Sequence, residues 1–414
     1  MSEHAYSIPI GPLHPAIHEP ITLKIDVEGE RIVGVDVFCS QVHRGIEWIG
    51  MNRNNPIQSI YLAERVCGIC NICHPFCMVQ AVEDAAGISP PERADYIRTI
   101  MAELERIHSH LLWAGVAAHE IGFDTVFHYT WALREKVMDL IEYLSGNRVT
   151  KAIMMIGGVR RDISEEGKRK IKEGMQYYME KFAKIEDIYL NDPTIRMRTR
   201  DVGILTREDA LKLCAVGPVA RASGVPKDVR QDFPYGAYAD YGVKAITPDM
   251  YNGETHGDVF DRIIVRLLEV KQSVEIIKWA VDNLPQGPIL AEKNLVRLKL
   301  LLKKAEGEGI GRVEAPRGED IHYVRLEKGK EPYLSWKIRA PTYNNVLPWI
   351  PMLLGGQIAD VPIVAASTDP CMSCLNRVTV VDEKGKKYEI TKEYMHKLSV
   401  RKTRRLMRNG SSRT

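Results

Sequence analysis

Arg65-Val66-Cys67-Gly68-Ile69-Cys70-Asn71-Ile72-Cys73-His74-Pro75-Phe76-Cys77 carries four of the chain's eight cysteines. Cys67 and Cys70 stand one turn apart, so both thiolates can reach a single metal, and Gly68 allows close backbone approach. A second pair, Cys371-Met372-Ser373-Cys374, repeats the spacing near the other end of the chain. A zinc ribbon or knuckle separates its pairs by about 15–20 residues. Pairs this far apart place their site inside a fold that brings the two ends together. Soft thiolate sets suit zinc, iron–sulfur or nickel.

The 414 residues are enough for a large core and two or three structural units. At 45% hydrophobic and 27% charged, the composition is that of a soluble globular protein. A net charge of +3 is too small to argue for a nucleic-acid partner. The best apolar run, Val346 to Leu354, is short and broken by Pro348 and Pro351. It falls below the roughly 18 residues that a membrane span needs. Met1-Ser2-Glu3-His4 lacks the basic segment and apolar core of a signal peptide, so a cytoplasmic location is expected. Clustered thiols in a reducing compartment read as metal ligands rather than as a disulfide framework.

Ile21 to Val27 and Ile32 to Phe38 alternate around Glu28-Gly29-Glu30, which predicts a β-hairpin. Ser89-Pro90-Pro91-Glu92 predicts a helix start, with Ser89 as the cap and Pro at the first position. Ile97, Ile100, Met101, Leu104, Ile107, Leu111 and Leu112 follow on a helical period and predict a long core helix. Residues 130–147, 164–184 and 258–284 read as further helices, and short strands return over 318–340. Arg401-Lys402-Thr403-Arg404-Arg405 reads as part of a solvated tail, with docking on an acidic partner or a membrane face as the alternative. The expected class is α+β, a mainly helical core with small β units near both ends. Four segments follow: a β-rich unit over 1–56, a helical core with the first pair over 57–312, a β/loop segment with the second pair over 313–378, and a charged tail over 379–414.

The pairs have charged flanks. They read Arg-x-Cys-Gly-x-Cys-x-x-x-His from Arg65 to His74, and Asp-Pro-Cys-x-x-Cys-x-x-Arg from Asp369 to Arg377. Charged and imidazole groups beside thiolates orient and tune a reactive centre, which a structural zinc staple has less use for. These motifs resemble those of the large subunit of nickel–iron hydrogenases of the membrane-bound, energy-converting kind, which are related to the quinone-pocket large subunit of respiratory complex I. Further matches run along the chain: Gly11 to Pro15, His43 to Glu47, Glu103 to Leu111, Ile156 to Asp162, Val216 to Arg221, Gly257 to Arg262 and Glu314 to Gly318.

The resemblance implies that Cys67, Cys70, Cys371 and Cys374 ligate nickel, with one of each pair bridging to iron. It implies that Arg317 stands over the metal, that Glu19 is a proton-relay candidate and that His74 lies beside the ligands. It also implies a small iron–sulfur subunit with a proximal 4Fe-4S cluster, other hydrophilic subunits, antiporter-like membrane subunits, and ferredoxin as electron donor, at the cytoplasmic face of the cell membrane. The bland readings are that Glu19 is a surface carboxylate and that Arg317 pairs with Glu314 or Glu319. His108 and His110 read as packed residues, and Cys39 and Cys214 as small buried hydrophobes.

Two features depart from the hydrogenase pattern. Cys73 and Cys77 extend the first motif to the spacing a cubane iron–sulfur cluster uses. The chain also continues past Arg377 to Thr414, where many hydrogenase large subunits are clipped. A relative in the same membrane-bound group reduces sulfane sulfur. The expectation is therefore a ferredoxin-dependent, ion-translocating oxidoreductase that reduces sulfane sulfur such as polysulfide. Its 4Fe-4S cluster would be held by Cys67, Cys70, Cys371 and Cys374, with Cys73 as a further candidate ligand. Glu19, Arg317 and His74 are the catalytic candidates. The alternatives are a proton-reducing hydrogenase with a nickel–iron centre on the same thiolates, and a non-catalytic scaffold subunit with structural zinc.

Overall fold

The computed structural model describes residues 6–14, 19–39, 41–331, 333, 335–375, 380–381, 387–388 and 392–410. The predicted hairpin is present as β2 (Thr22–Glu28) and β3 (Arg31–Phe38). Gly29 makes the turn with φ 62°, a left-handed value that glycine adopts without strain. β1 (Tyr6–Ile10), which the sequence did not announce, pairs antiparallel with β2 to complete the sheet. Leu23, Ile25 and Val27 are buried on one face, as the alternation requires.

The helical core begins earlier than expected, with α1 (Ile46–Arg53) and α2 (Pro56–Ala63). Asn55 and Gln58 cap α2 reciprocally, and Pro56 opens its first turn. α3 (Cys73–Ala86) ends on Gly87 in the left-handed region. α4 (Glu92–Glu120) is the long core helix, and it starts after both prolines with Pro91, not Ser89, at the cap. A residue before proline is kept from helical backbone, so Ser89 and Pro90 stay outside the helix. The other three predicted helices are α5 (Asp124–Ser145), α6 (Glu165–Asn191) and Val259–Asp282. α5 starts six residues early, straight after the break at Gly122 and Phe123. α6 runs on because Ile185 and Tyr189 continue its buried stripe up to the stop at Asp192-Pro193.

A second antiparallel sheet joins Gly307–Ala315, Gly318–Leu326 and Ser335–Arg339. Its first strand lies directly on α3. A Cβ at Gly307, Gly309 or Gly311 would sit 2.7, 2.1 or 1.8 Å from the carbonyl oxygens of Ala85, Ala81 and Cys77. No side chain fits that approach, so three alternating glycines allow it. They also weakened the strand pattern, and sequence reading left this strand mostly within the helical segment. The contact brings the start of α3 against the Gly318–Leu326 strand.

The chain divides into two compact units, Met1–Asn376 and Arg377–Thr414. In the second, Val380–Val381 pairs with Lys387–Tyr388, and Lys392–Gly410 is helical. The basic run from Arg401 to Arg405 is exposed and lies on this helix. Among the described residues, no helix is long and apolar enough to cross a membrane.

Candidate metal centre

The first cysteine pair sits in the short loop between α2 and α3, and the second on a single 3-10 turn, Met372–Cys374. Arg44 joins the two loops. Its Nη1 donates to Arg65 O at 2.7 Å, and its Nη2 to Val66 O and Ser373 O, both at 2.6 Å. One guanidinium thus satisfies carbonyls from both ends of the chain. Behind the first pair, Glu105 on α4 accepts from Ile72 N at 2.6 Å and Cys73 N at 2.8 Å, and the fully buried Lys151 pairs with it at 3.2 Å. The Cys371 amide donates to Thr342 Oγ1 at 3.2 Å.

These clamps bring sulfurs together. Cys371 Sγ lies 3.3 Å from Cys67 Sγ and 3.0 Å from Cys374 Sγ. The three sulfurs lie within 4.8 Å of one another, and all are buried. Cys70 completes the set beside Cys67, and its sulfur accepts from Arg317 Nη1 at 3.2 Å. Hydrogen bonds from Cys371, Cys374 and Cys70 hold the Cys67 thiol well below its ordinary value. The Cys374 thiol is pushed well up, first by its bond to Cys371, then by Cys67 and burial.

Arg317 faces the sulfurs rather than Glu314 or Glu319. Its Nη1 also donates to Ser109 Oγ at 3.2 Å, and its Nη2 to Asp369 at 2.6 Å. Glu314 pairs instead with Arg221 at 2.8 Å, and Glu319 with Arg339 at 2.6 Å. The turn that carries Arg317 is pinned twice. Asn345 Nδ2 donates to Arg317 O at 3.1 Å, and Arg106 donates to Glu314 O at 2.5 Å. Burial opposes the charge on the guanidinium, but Asp369 and the sulfurs outweigh it and hold Arg317 positive.

Glu19 is part-buried and accepts from the backbone amides of Met372 and Ser373, between the two cysteines of the second pair. Burial, then the charge on Cys67, raise its carboxyl above the ordinary value. Beside it opens a mainly apolar cavity of about 110 Å³. Ile69, Leu112, Trp113 and Ala365 are among its apolar walls, and Glu19, Arg317 and Asp369 form its polar end. His74 presents Nε2 to Cys374 Sγ at 3.6 Å, and its Nδ1 faces His322 and Asp320.

Several expectations change. Cys73 and Cys77 lie on α3 outside the sulfur group, where the Cys77 thiol donates to Asp320 O at 3.3 Å. Arg65 points away, to Tyr61 O at 2.7 Å, and is half exposed. Arg377 lies outside the described residues. Cys214 is exposed and Cys39 half-buried, so Cys214 is not a core hydrophobe. His108 and His110 are packed side chains, paired with Lys151 and Glu269. Sequence reading did not assign Arg44, Ser109, Lys151, Asp320, His322 or Asn345 to the centre. Arg44, Ser109 and Arg106 were visible only as parts of longer matching stretches.

The donor set fits a thiophilic metal group. Buried sulfurs converge from both pairs, an arginine balances their charge, and no lysine competes for them among the described contacts.

A family model described as "Nickel-dependent hydrogenase" matches residues 44–115, and one described as "Respiratory-chain NADH dehydrogenase, 49 Kd subunit" matches residues 120–377. The chain is 48% identical over 410 residues to the membrane-bound hydrogenase subunit alpha of Pyrococcus furiosus, covering 98% of this chain and 95% of that protein. It is 37% identical to the carbon monoxide-induced hydrogenase of Rhodospirillum rubrum, over 90% of this chain and 99% of that one. A solved structure of the membrane-bound sulfane sulfur reductase, an archaeal respiratory membrane complex, superposes with a TM-score of 0.84 at 28% identity. That match covers 91% of this chain and 100% of the other.

Proposed function

The chain belongs to the family of oxidoreductase large subunits that joins membrane-bound hydrogenases to the respiratory 49 Kd subunit, and from that premise we propose that it is the hydrogen-forming subunit of a membrane-associated complex. The observation that carries this reading is the sulfur cage: Cys67, Cys371 and Cys374 within 4.8 Å, with Cys70 beside them. Sequence reading put sulfane sulfur first on the residues that follow Arg377 and on the cubane spacing of Cys73 and Cys77. The placement of both outside the cage favours the reverse order.

Cys67, Cys70, Cys371 and Cys374 would hold a nickel–iron centre, and that centre, when bound, supplies the redox metal at which protons and electrons combine. The chain's own groups do the rest. The Arg317 guanidinium balances thiolate charge and is held in one orientation by Asp369 and Ser109. Glu19, whose carboxyl is raised by burial, can hold a proton at the edge of the cage and release it inward. The four cysteines are buried from bulk water, and the apolar cavity beside Glu19 suits a small apolar molecule. Electrons would come from ferredoxin through a small iron–sulfur subunit, with antiporter-like membrane subunits beyond it, at the cytoplasmic face of the membrane.

A second reading, reduction of sulfane sulfur at an iron–sulfur cluster on the same thiolates, is favoured by the likeness to the sulfane sulfur reductase structure. Turnover of the purified complex with a reduced dye tests both. Hydrogen evolution without sulfide release from polysulfide supports the first reading. Sulfide release without hydrogen overturns it in favour of the second.

A further inference from the structure

Lys151, in the connection between α5 and α6, has no exposed surface. A full-length lysine is seldom buried unless a partner meets its charge. The backbone beside it is strained. Ala152 has φ 47°, a left-handed value that costs an alanine energy and persists only where its surroundings hold it. Its amide donates to Glu64 Oε1 at 2.5 Å, and its carbonyl accepts from Arg160 Nε at 2.6 Å. The turn so fixed sends the lysine side chain inward.

The ammonium lies 3.2 Å from Glu105 Oε1 and 3.4 Å from His108 Nε2, one turn apart on α4. Both residues reach on to the loop that carries the first cysteine pair. Glu105 Oε1 accepts from Ile72 N at 2.6 Å and Oε2 from Cys73 N at 2.8 Å, and the His108 ring donates to the Ile69 carbonyl. Ile69 and Ile72 stand on either side of Cys70. α3 has no side-chain cap at Ile72, and the amides at its start go to Glu105 instead. A carboxylate suits that end of a helix, where unpaired amides and the dipole favour negative charge. Among the described ion pairs, the partner of Glu105 is Lys151.

We infer that Lys151 is a positioning residue for the first cysteine pair: it fixes Glu105 and His108, and they fix the loop on both sides of Cys70. This rests on the reading of Cys67 and Cys70 as metal ligands. None of the described contacts of Lys151 is to a sulfur, so it acts through the shape of the loop. Methionine at this position would fill similar space and leave the Glu105 carboxylate buried without a cation. That state is costly, and it is relieved when the carboxylate turns towards water and releases the amides.

Hydrogen exchange of the full chain without metal, resolved by residue, tests this. In the unmodified chain the Ile72 and Cys73 amides should exchange slowly, because Glu105 holds them. Fast exchange at both overturns the inference, and needs no variant to fold. In Lys151→Met both amides should exchange at least about tenfold faster, the scale of one bond to a charged group. The Val259–Asp282 helix should stay as protected as before. Glu105→Gln, which offers one acceptor oxygen instead of two, should release one of the two amides. In the intact complex, Lys151→Met should weaken metal retention by about 10–100-fold, the usual cost of losing a partner behind a ligand. Unchanged exchange at Ile72 and Cys73 in Lys151→Met overturns the inference. So does faster exchange spread evenly over the chain, which would make the lysine a general support of the fold. The exchange measurement requires neither metal nor turnover, so this inference and the hydrogen reading can fail separately.

Discussion

Cys67 and Cys371 are 304 residues apart in sequence, and their sulfurs are 3.3 Å apart in the fold. Arg44 clamps the loops that carry them. A disrupted ligand costs more than the about 10–100-fold loss seen when a residue behind a ligand is removed. Cys371→Ser should therefore abolish metal retention and turnover together. Cys73→Ser, outside the cage, should retain the metal of the unmodified complex. Metal analysis of the two variants side by side checks this. Metal loss in Cys73→Ser, with retention in Cys371→Ser, would point to a different ligand set.

Arg317 makes three directed contacts, to Cys70, Ser109 and Asp369. Lysine keeps the charge but cannot reproduce a planar fork. Arg317→Lys should lower turnover by about 100-fold, the scale for one preorganised donor. Its metal content should be unchanged. Steady-state rates with metal analysis on the same preparation separate the two, and unimpaired turnover would remove Arg317 from the mechanism.

Glu64 is buried and its carboxyl is raised to about 7, first by burial, with the Ala152 amide opposing. The native state therefore holds a proton that the unfolded chain has already released. Stability should fall as pH rises from about 4.5 to about 7, then level off. Glu64→Gln keeps an acceptor for Ala152 and cannot ionise, so its advantage over the parent should grow across that window. Denaturant midpoints at acid and neutral pH measure the gap. A constant gap would mean that Glu64 titrates alike in both states.

Gly309 faces the α3 backbone so closely that a Cβ would lie 2.1 Å from Ala81 O. Gly309→Ala should cost about 3 kcal/mol, the upper range for overpacking against a backbone that cannot yield. Gly329, with nothing within 4 Å of its added Cβ, has φ 85°, so an alanine there carries only backbone strain. A shift in denaturant midpoint at unchanged slope would report the first effect. No shift would mean that the strand and helix move apart.

The alternation around Gly29 and the helical stripe from Ile97 to Leu112 reported the hairpin and the central helix directly. The cysteine spacing with its charged flanks pointed to the cage, because only a fold joining both ends could use it. Other features were hidden for physical reasons. The Gly307–Ala315 strand has glycine where a strand normally shows apolar side chains, since its neighbour is a helix backbone. Cys73 and Cys77 had ligand spacing, but the helix turns them towards Glu105 and Asp320 O. Asp320 and His322 meet His74, and Trp336 meets His322, only through tertiary packing, and no local pattern marks contacts of that kind.

The central claim is that the four cysteines hold nickel. Metal content of the purified, intact complex measured by mass spectrometry tests it most directly. The account predicts stoichiometric nickel per large subunit, with iron above that of the partner clusters. Iron and labile sulfide without nickel, or zinc alone, would contradict it.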